Sequence, residues 1–295
     1  MGIANSHVQK QKNRQRNRDR SSEIACFLDP LATSLKWLQA GRQITTGGCH
    51  NPVRPKNQYR RPLQRFRLSL RQGFAIRQGM RSDHFTILLG GDIAVTDRLQ
   101  KAVAGSRVIA ADSGMKHARP LGLTPELWVG DFDSADAALV DEWPDVPQQP
   151  FPAAKGETDG EIAVSEALAR GAKRLTLVGA LAGERSDHAQ FHLLYAVALA
   201  ERGLQVVLTS GEEEAFPLLA GELALDLPRG SLFSVAGFTA LSGLDIENAR
   251  YPLNDFALAF GSSRTMSNVA EGEIRLRLKS GKAIVLARPY DLTGA

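Results

Sequence analysis

Leu127-Trp128-Val129-Gly130-Asp131-Phe132-Asp133-Ser134 is the stretch from which the fold can be read. A short apolar run stops at a glycine and gives way at once to two aspartates. The same grammar recurs upstream, where Arg107–Ala111 delivers Asp112-Ser113-Gly114 and Phe85–Leu89 delivers Gly90-Gly91-Asp92. Leu175–Val178 and Gln205–Thr209 are further buried strands. Helical stretches lie between them at Thr96–Ala104, at Ile162–Arg170 just after Asp159, and at 187–202. Short apolar strands separated by helices point to an α/β domain built on a parallel sheet with both faces covered. Ligands bind such sheets beyond the carboxyl ends of the strands, where every one of these acidic motifs falls.

Carboxylates crowded at strand ends repel one another unless a cation neutralises them. Mg²⁺, a hard cation that takes oxygen ligands and commonly brings phosphates, answers that need. Asp131 and Asp133 both face one crevice if the chain turns at Gly130. Helix capping by Asp133 or Ser134, ahead of a helix from Ala135, explains one of these residues but not both aspartates. In Lys155-Gly156-Glu157-Thr158-Asp159, Thr158 and Glu161 have the spacing of a capping box, a role compatible with metal binding by Asp159. Lys155 adds a positive charge for a polyphosphate. Gly179–Gly183 lead into Glu184-Arg185-Ser186-Asp187-His188, a glycine-rich turn opening a helix with an arginine beside it, suited to gripping phosphate. Asp187 has capping as its competing role, and His188 that of a polar helix-face residue. Gly90-Gly91 permits close backbone approach to a phosphate, but no P-loop lysine or Gly-x-Gly-x-x-Gly pattern accompanies it.

After about residue 212 the helical pattern ends. Leu223–Leu227, Ser231–Ala236, Asp245–Ile246, Phe256–Phe260, Glu273–Lys279 and Ala283–Ala287 read as short strands. Pro228-Arg229-Gly230 and Ser280-Gly281 between them read as hairpin turns, and the whole as an all-β sandwich. Three segments are therefore expected: a basic extension over 1–82, an α/β catalytic domain over 83–211 and a β-sandwich over 212–295.

Charge divides the chain at the first of these boundaries. Residues 1–82 hold 17 Lys/Arg against 3 Asp/Glu, a balance of +14, whereas residues 83–295 hold 19 against 29, a balance of −10. Three readings of the extension compete. It is an Arg-rich, acid-poor transit peptide, a polyanion-binding arm through Lys10–Arg20 and Arg54–Arg71, or unstructured sequence upstream of a start at Met80. The last is favoured because the composition changes there. Within the extension only Ile24–Leu38 has the pattern of a short amphipathic helix. Both cysteines, Cys26 and Cys49, lie in it, so residues 83–295 offer no disulfide or thiolate metal site, in keeping with a reducing cytoplasm. No apolar run approaches the roughly 18 residues of a membrane span, and the first residues lack a hydrophobic signal core. Neither a membrane nor a nucleic acid is an expected partner.

The ordered set Gly90-Gly91, Asp112-Ser-Gly, Gly130-Asp-Phe-Asp-Ser134, Lys155-x-x-Thr-Asp159, Gly-x-Arg185-x-Asp-His188 and Ser267-Asn268 resembles the thiamine pyrophosphokinase family in order and spacing. The resemblance extends over about residues 85–290. It implies an α/β catalytic domain followed by a β-sandwich, in a homodimer whose active sites lie between subunits. It also implies transfer of a pyrophosphoryl group from ATP to the hydroxyl of thiamine, with AMP released. By the same resemblance Asp131, Asp133 and Asp159 hold Mg²⁺, and Gly90, Gly91, Asp112, Lys155, Thr158, Arg185, Asp187 and His188 line the nucleotide side. Ser267, Asn268 and Tyr251 shape the thiamine pocket, Tyr251 as a stacking surface. The chain departs from the family pattern at Ser113, commonly glycine, and at Gly156, often aspartate. Two other functions compete: diphosphokinase action on another hydroxymethyl heterocycle such as a pterin, and non-catalytic nucleotide sensing.

Overall fold

The computed structural model describes residues 82–132, 137–152 and 156–294. The extension up to residue 81, the helix expected over Ile24–Leu38, the helix start at Ala135, and the site residues Asp133 and Lys155 lie outside the described residues. Six strands, β1 (His84–Leu88), β2 (Arg107–Ala111), β3 (Leu127–Gly130), β4 (Gln148–Pro150), β5 (Arg174–Val178) and β6 (Gln205–Thr209), run parallel in the order β4-β3-β2-β1-β5-β6. Alternate side chains go to opposite faces, as the two-residue period of a strand requires. Phe85, Ile87, Ile109, Val129, Leu175 and Leu177 enter one cluster, whereas Leu88, Val108, Ala110 and Trp128 enter another.

Each cluster has its helical cover. Helices α3 (Asp159–Ala169) and α4 (Ser186–Glu201) close the first with Ile162, Val164, Ala196 and Leu199. Helix α1 (Asp97–Val103) and a 3₁₀ turn over Asp112–His117 close the second with Leu99, Val103 and Met115. A short helix α2 (Ala137–Glu142) lies between β3 and β4. Both α1 and α3 start at a threonine cap, of which only the one at Thr158 was expected. Thr96 Oγ1 accepts the N–H of Leu99 at 3.2 Å. Thr158 and Glu161 form the reciprocal box, with Glu161 N–H to Thr158 Oγ1 at 3.2 Å and Thr158 N–H to Glu161 Oε2 at 2.9 Å. A cap of this kind stabilises its helix by about 1 kcal/mol.

The parallel arrangement holds for β1–β6 only, and the sheet as a whole is mixed. Strand β7 (Glu214–Leu218) pairs antiparallel with β6, and β13 (Ala283–Arg288) and β9 (Leu232–Gly237) follow it. Strand β12 (Asn268–Leu278) touches β9 through Asn268 and Val269, then runs on between β8 (Gly221–Leu225) and β10 (Leu241–Ala249). Strand β11 (Leu253–Leu258) pairs with β10. A third cluster gathers Phe216, Phe233, Val235 and Val285 with Leu223, Leu225, Leu244, Ile246, Ile274 and Leu276.

Two expected turns are not hairpins. Pro228-Arg229-Gly230 links β8 to β9, yet both pair with β12 rather than with each other. Ser280-Gly281 links β12 to β13, which both flank β9. Turn chemistry marks where the chain reverses, and the partner is chosen by which apolar face is buried. The β6–β7 and β10–β11 connections do join paired strands, and Tyr251 sits in the latter.

Candidate active site

Strand β2 lies on one side of β1 and β5 on the other, so successive connections diverge at the carboxyl end of β1 and leave a crevice there. A cavity of ≈ 710 Å³ occupies it. β1 supplies Gly90 and Gly91, β2 supplies Asp112, and β3 supplies Asp131. Thr158 and Asp159 come from the start of α3, while Arg185 and His188 come from the start of α4. These eight expected residues therefore meet in one place. Asp187 joins them indirectly through Arg185, whose Nε and Nη2 donate to its two carboxylate oxygens at 2.9 and 2.7 Å. That guanidinium holds the Asp187 carboxyl well below the usual carboxylate range.

The glycine pair also packs the loop that carries it. Gly91 N–H donates to Gly179 O at 3.2 Å, and a Cβ at Gly91 would collide with the carbonyl oxygens of Ala182 and Gly179. The glycine lets the β1 and β5 connections pack backbone to backbone. The 3₁₀ turn fixes the same loop from the other side. Lys116 Nζ donates to Gly90 O at 2.8 Å and His117 Nε2–H to Gly91 O at 2.7 Å. Burial pushes the His117 imidazole down, favouring its neutral form.

Two residues at the crevice have left-handed backbones, Asp112 at φ 46 and Phe132 at φ 57. Such a conformation is unusual for Phe in particular. Trp128 holds both: its indole Nε1–H donates to Asp112 O at 2.9 Å, and its ring meets Phe132 edge-on at 5.1 Å. The bends turn the Asp112 and Asp131 segments over the cavity instead of letting the strands run on.

Asp112, Asp131 and Asp159 give the cavity an all-oxygen carboxylate set, the donor chemistry that suits Mg²⁺. Among the described residues no group of three or more His, Cys, Asp or Glu side chains is close enough to bind a metal unaided. Magnesium usually keeps several waters and takes only one or two carboxylates, so this set fits it better than an all-protein cage.

Tyr251, Ser267 and Asn268 form a second group off this cavity. Buried Asn268 accepts the Tyr251 N–H on Oδ1 at 3.1 Å and donates from Nδ2 to Tyr251 O at 2.8 Å. Ser267, with φ 55, donates its N–H to Ser234 Oγ at 2.9 Å. Tyr251 itself is 63 % exposed, so it does not fill the core of the β half. The cavity also includes Lys116, Glu157 and His192, which sequence reasoning did not single out. A signal existed for His192, which lies four residues after His188 and so on the same helix face.

Residues 100–208 match the family model described as thiamin pyrophosphokinase, catalytic domain. The likeness to that catalytic domain lies within this stretch. The matched segment starts inside α1 and ends in β6, taking in Asp112, Asp131, Asp159 and Arg185. Solved structures share the fold beyond it. A thiamine pyrophosphokinase from Bacillus subtilis is 20% identical with TM-score 0.63, covering 70% of this chain and 99% of its own. A thiamin pyrophosphokinase family protein from Enterococcus faecalis is 22% identical with TM-score 0.59, covering 70% and 99%. Thiamin pyrophosphokinase from Candida albicans is 12% identical with TM-score 0.59, covering 70% and 88%. No curated protein matches the sequence. Among the described residues no helix is long and apolar enough to cross a membrane.

Proposed function

We propose that this protein is a thiamine diphosphokinase, which transfers the pyrophosphoryl group of ATP to the thiamine hydroxyl and releases AMP. The carrying observation is the convergence of Gly90, Asp112, Asp131, Asp159 and Arg185 on one cavity at the carboxyl end of β1. Attack of a neutral alcohol on phosphorus needs in-line placement and charge neutralisation more than covalent catalysis. Asp131, Asp133 and Asp159 would hold Mg²⁺, which when bound neutralises the phosphate oxygens. Lys155 and Arg185 would orient the polyphosphate, with Asp187 pre-aligning the guanidinium fork. Gly90 and Gly91, pinned by Lys116 and His117, form the wall behind them. Asp112, Thr158 and His188 complete the nucleotide side.

The β half, 212–295, would act as a sandwich that presents Tyr251, Ser267 and Asn268 to thiamine, and 83–211 as the catalytic domain. Because that trio lies off the cavity, we propose a homodimer in which one protomer's trio faces its partner's cavity. The composition of residues 83–295, without cysteine, supports a cytoplasmic setting. The test is AMP release by the full chain with ATP and Mg²⁺, offered thiamine or a hydroxymethylpterin. AMP with thiamine alone is expected. AMP with the pterin alone would replace the substrate, and nucleotide binding without AMP would reduce the protein to a sensor.

A further inference from the structure

His192 lies on α4 one turn beyond His188, against the floor of the cavity. Its Nδ1 is 3.1 Å from Ala180 O. A carbonyl oxygen only accepts, so Nδ1 carries the proton and Nε2 keeps its lone pair. Burial pushes the imidazole down and so favours this neutral form. The Nε2 side abuts Gly160, where a Cβ would stand 3.8 Å from it, next to the carboxylate-bearing Asp159. The lone pair therefore sits at the phosphate end of the crevice. Phosphate oxygens at neutral pH are acceptors only, and two acceptors repel. Whatever opposes Nε2 must bring a hydrogen, and the second substrate's hydroxyl is the donor the reaction supplies there.

We infer that His192 is a catalytic residue whose Nε2 accepts a hydrogen bond from the hydroxyl of the pyrophosphoryl acceptor and so aims that oxygen at phosphorus. This rests on the proposed diphosphokinase reading. Two isosteric variants separate the cavity-facing nitrogen from the one bound to Ala180. His192→Asn retains an amide that reaches Ala180 O but nothing at the Nε2 position. His192→Gln places a carboxamide near Nε2 and gives up the Ala180 bond. Loss of orientation of this size costs about 10²-fold in rate.

The expected result is a fall in kcat of about 10²-fold for His192→Asn, with KM for ATP and Tm unchanged, and substantial recovery in His192→Gln. Wild-type kcat in His192→Asn, or a rate in His192→Gln below that of His192→Asn, would overturn the role and leave the ring a prop for Ala180. Histidine nitrogen NMR on the ligand-free protein gives a reading independent of turnover. The Nδ1–H tautomer is expected at His192, and an Nε2–H or doubly protonated ring overturns the inference. If the wild-type protein makes no AMP from thiamine, the activity fails, whereas wild-type turnover undiminished in His192→Asn sinks only the role of His192.

Discussion

Asp112 adopts a left-handed backbone that costs an L-residue about 1–2 kcal/mol, and Trp128 supplies the hydrogen bond that keeps it there. Strain of this kind persists where surrounding packing over-determines it, and here it turns a carboxylate into the crevice. Asp131 reaches the same cavity from β3 without such a bend at its own position. Asp131→Asn keeps the shape and removes the charge, so turnover should fall roughly 10²–10⁴-fold with no change in Tm. A folded variant with the wild-type rate and Mg²⁺ dependence would refute the metal role. At this scale Asp112 and Asp131 were legible because each follows an apolar run. His192 was legible only through His188, four residues earlier on the same helix face. Lys116 was hidden in a 3₁₀ turn that no sequence period announces.

Among the elements, those buried on both faces were the readable ones: β1, β2, β5 and β6 are near-continuous apolar runs, and their positions match the expectation closely. Strand β7 was missed because Glu214 and Pro217 interrupt it. The structure answers the glutamate with Arg98 of α1, whose Nε and Nη2 each donate to the buried Glu214 carboxylate at 2.8 Å. Strand β4, Gln148–Pro150, is a short polar edge with little apolar signal. The seam between β1 and β5 carries its own pH dependence. His84 Nε2 lies 2.9 Å from Thr176 Oγ1, and burial, aided by Arg174 and opposed by Asp83, lowers the imidazole to about 4. An unfolded histidine titrates near ~6.5, so between these values the unfolded chain binds more protons. The stabilising contribution is full above about 6.5 and is lost as pH falls towards about 4. Tm measured across that range should fall more steeply for wild type than for His84→Gln, which keeps a hydrogen-bonding group without titrating. Parallel curves would place the pH sensitivity elsewhere.

For the molecule as a whole, the two groups of expected site residues stand apart, and their roles can be separated kinetically. Tyr251 is held at the β10–β11 turn by Asn268 with its ring exposed. An aromatic face attracts a cation such as thiamine by ~0.5–2 kcal/mol. Tyr251→Ala should raise KM for thiamine more than KM for ATP, whereas Tyr251→Phe should change little. Equal KM values for thiamine in wild type and Tyr251→Ala would remove the stacking role. The order of strands also has a consequence for how the protein is made. β13 lies between β7 and β9, both of which leave the ribosome before it. The parallel layer can assemble as soon as β6 has emerged, but β7 and β9 then wait with open edges for a strand still being synthesised. During that interval the nascent chain offers two unpaired templates, so aggregation and chaperone capture should concentrate in the last stage of translation.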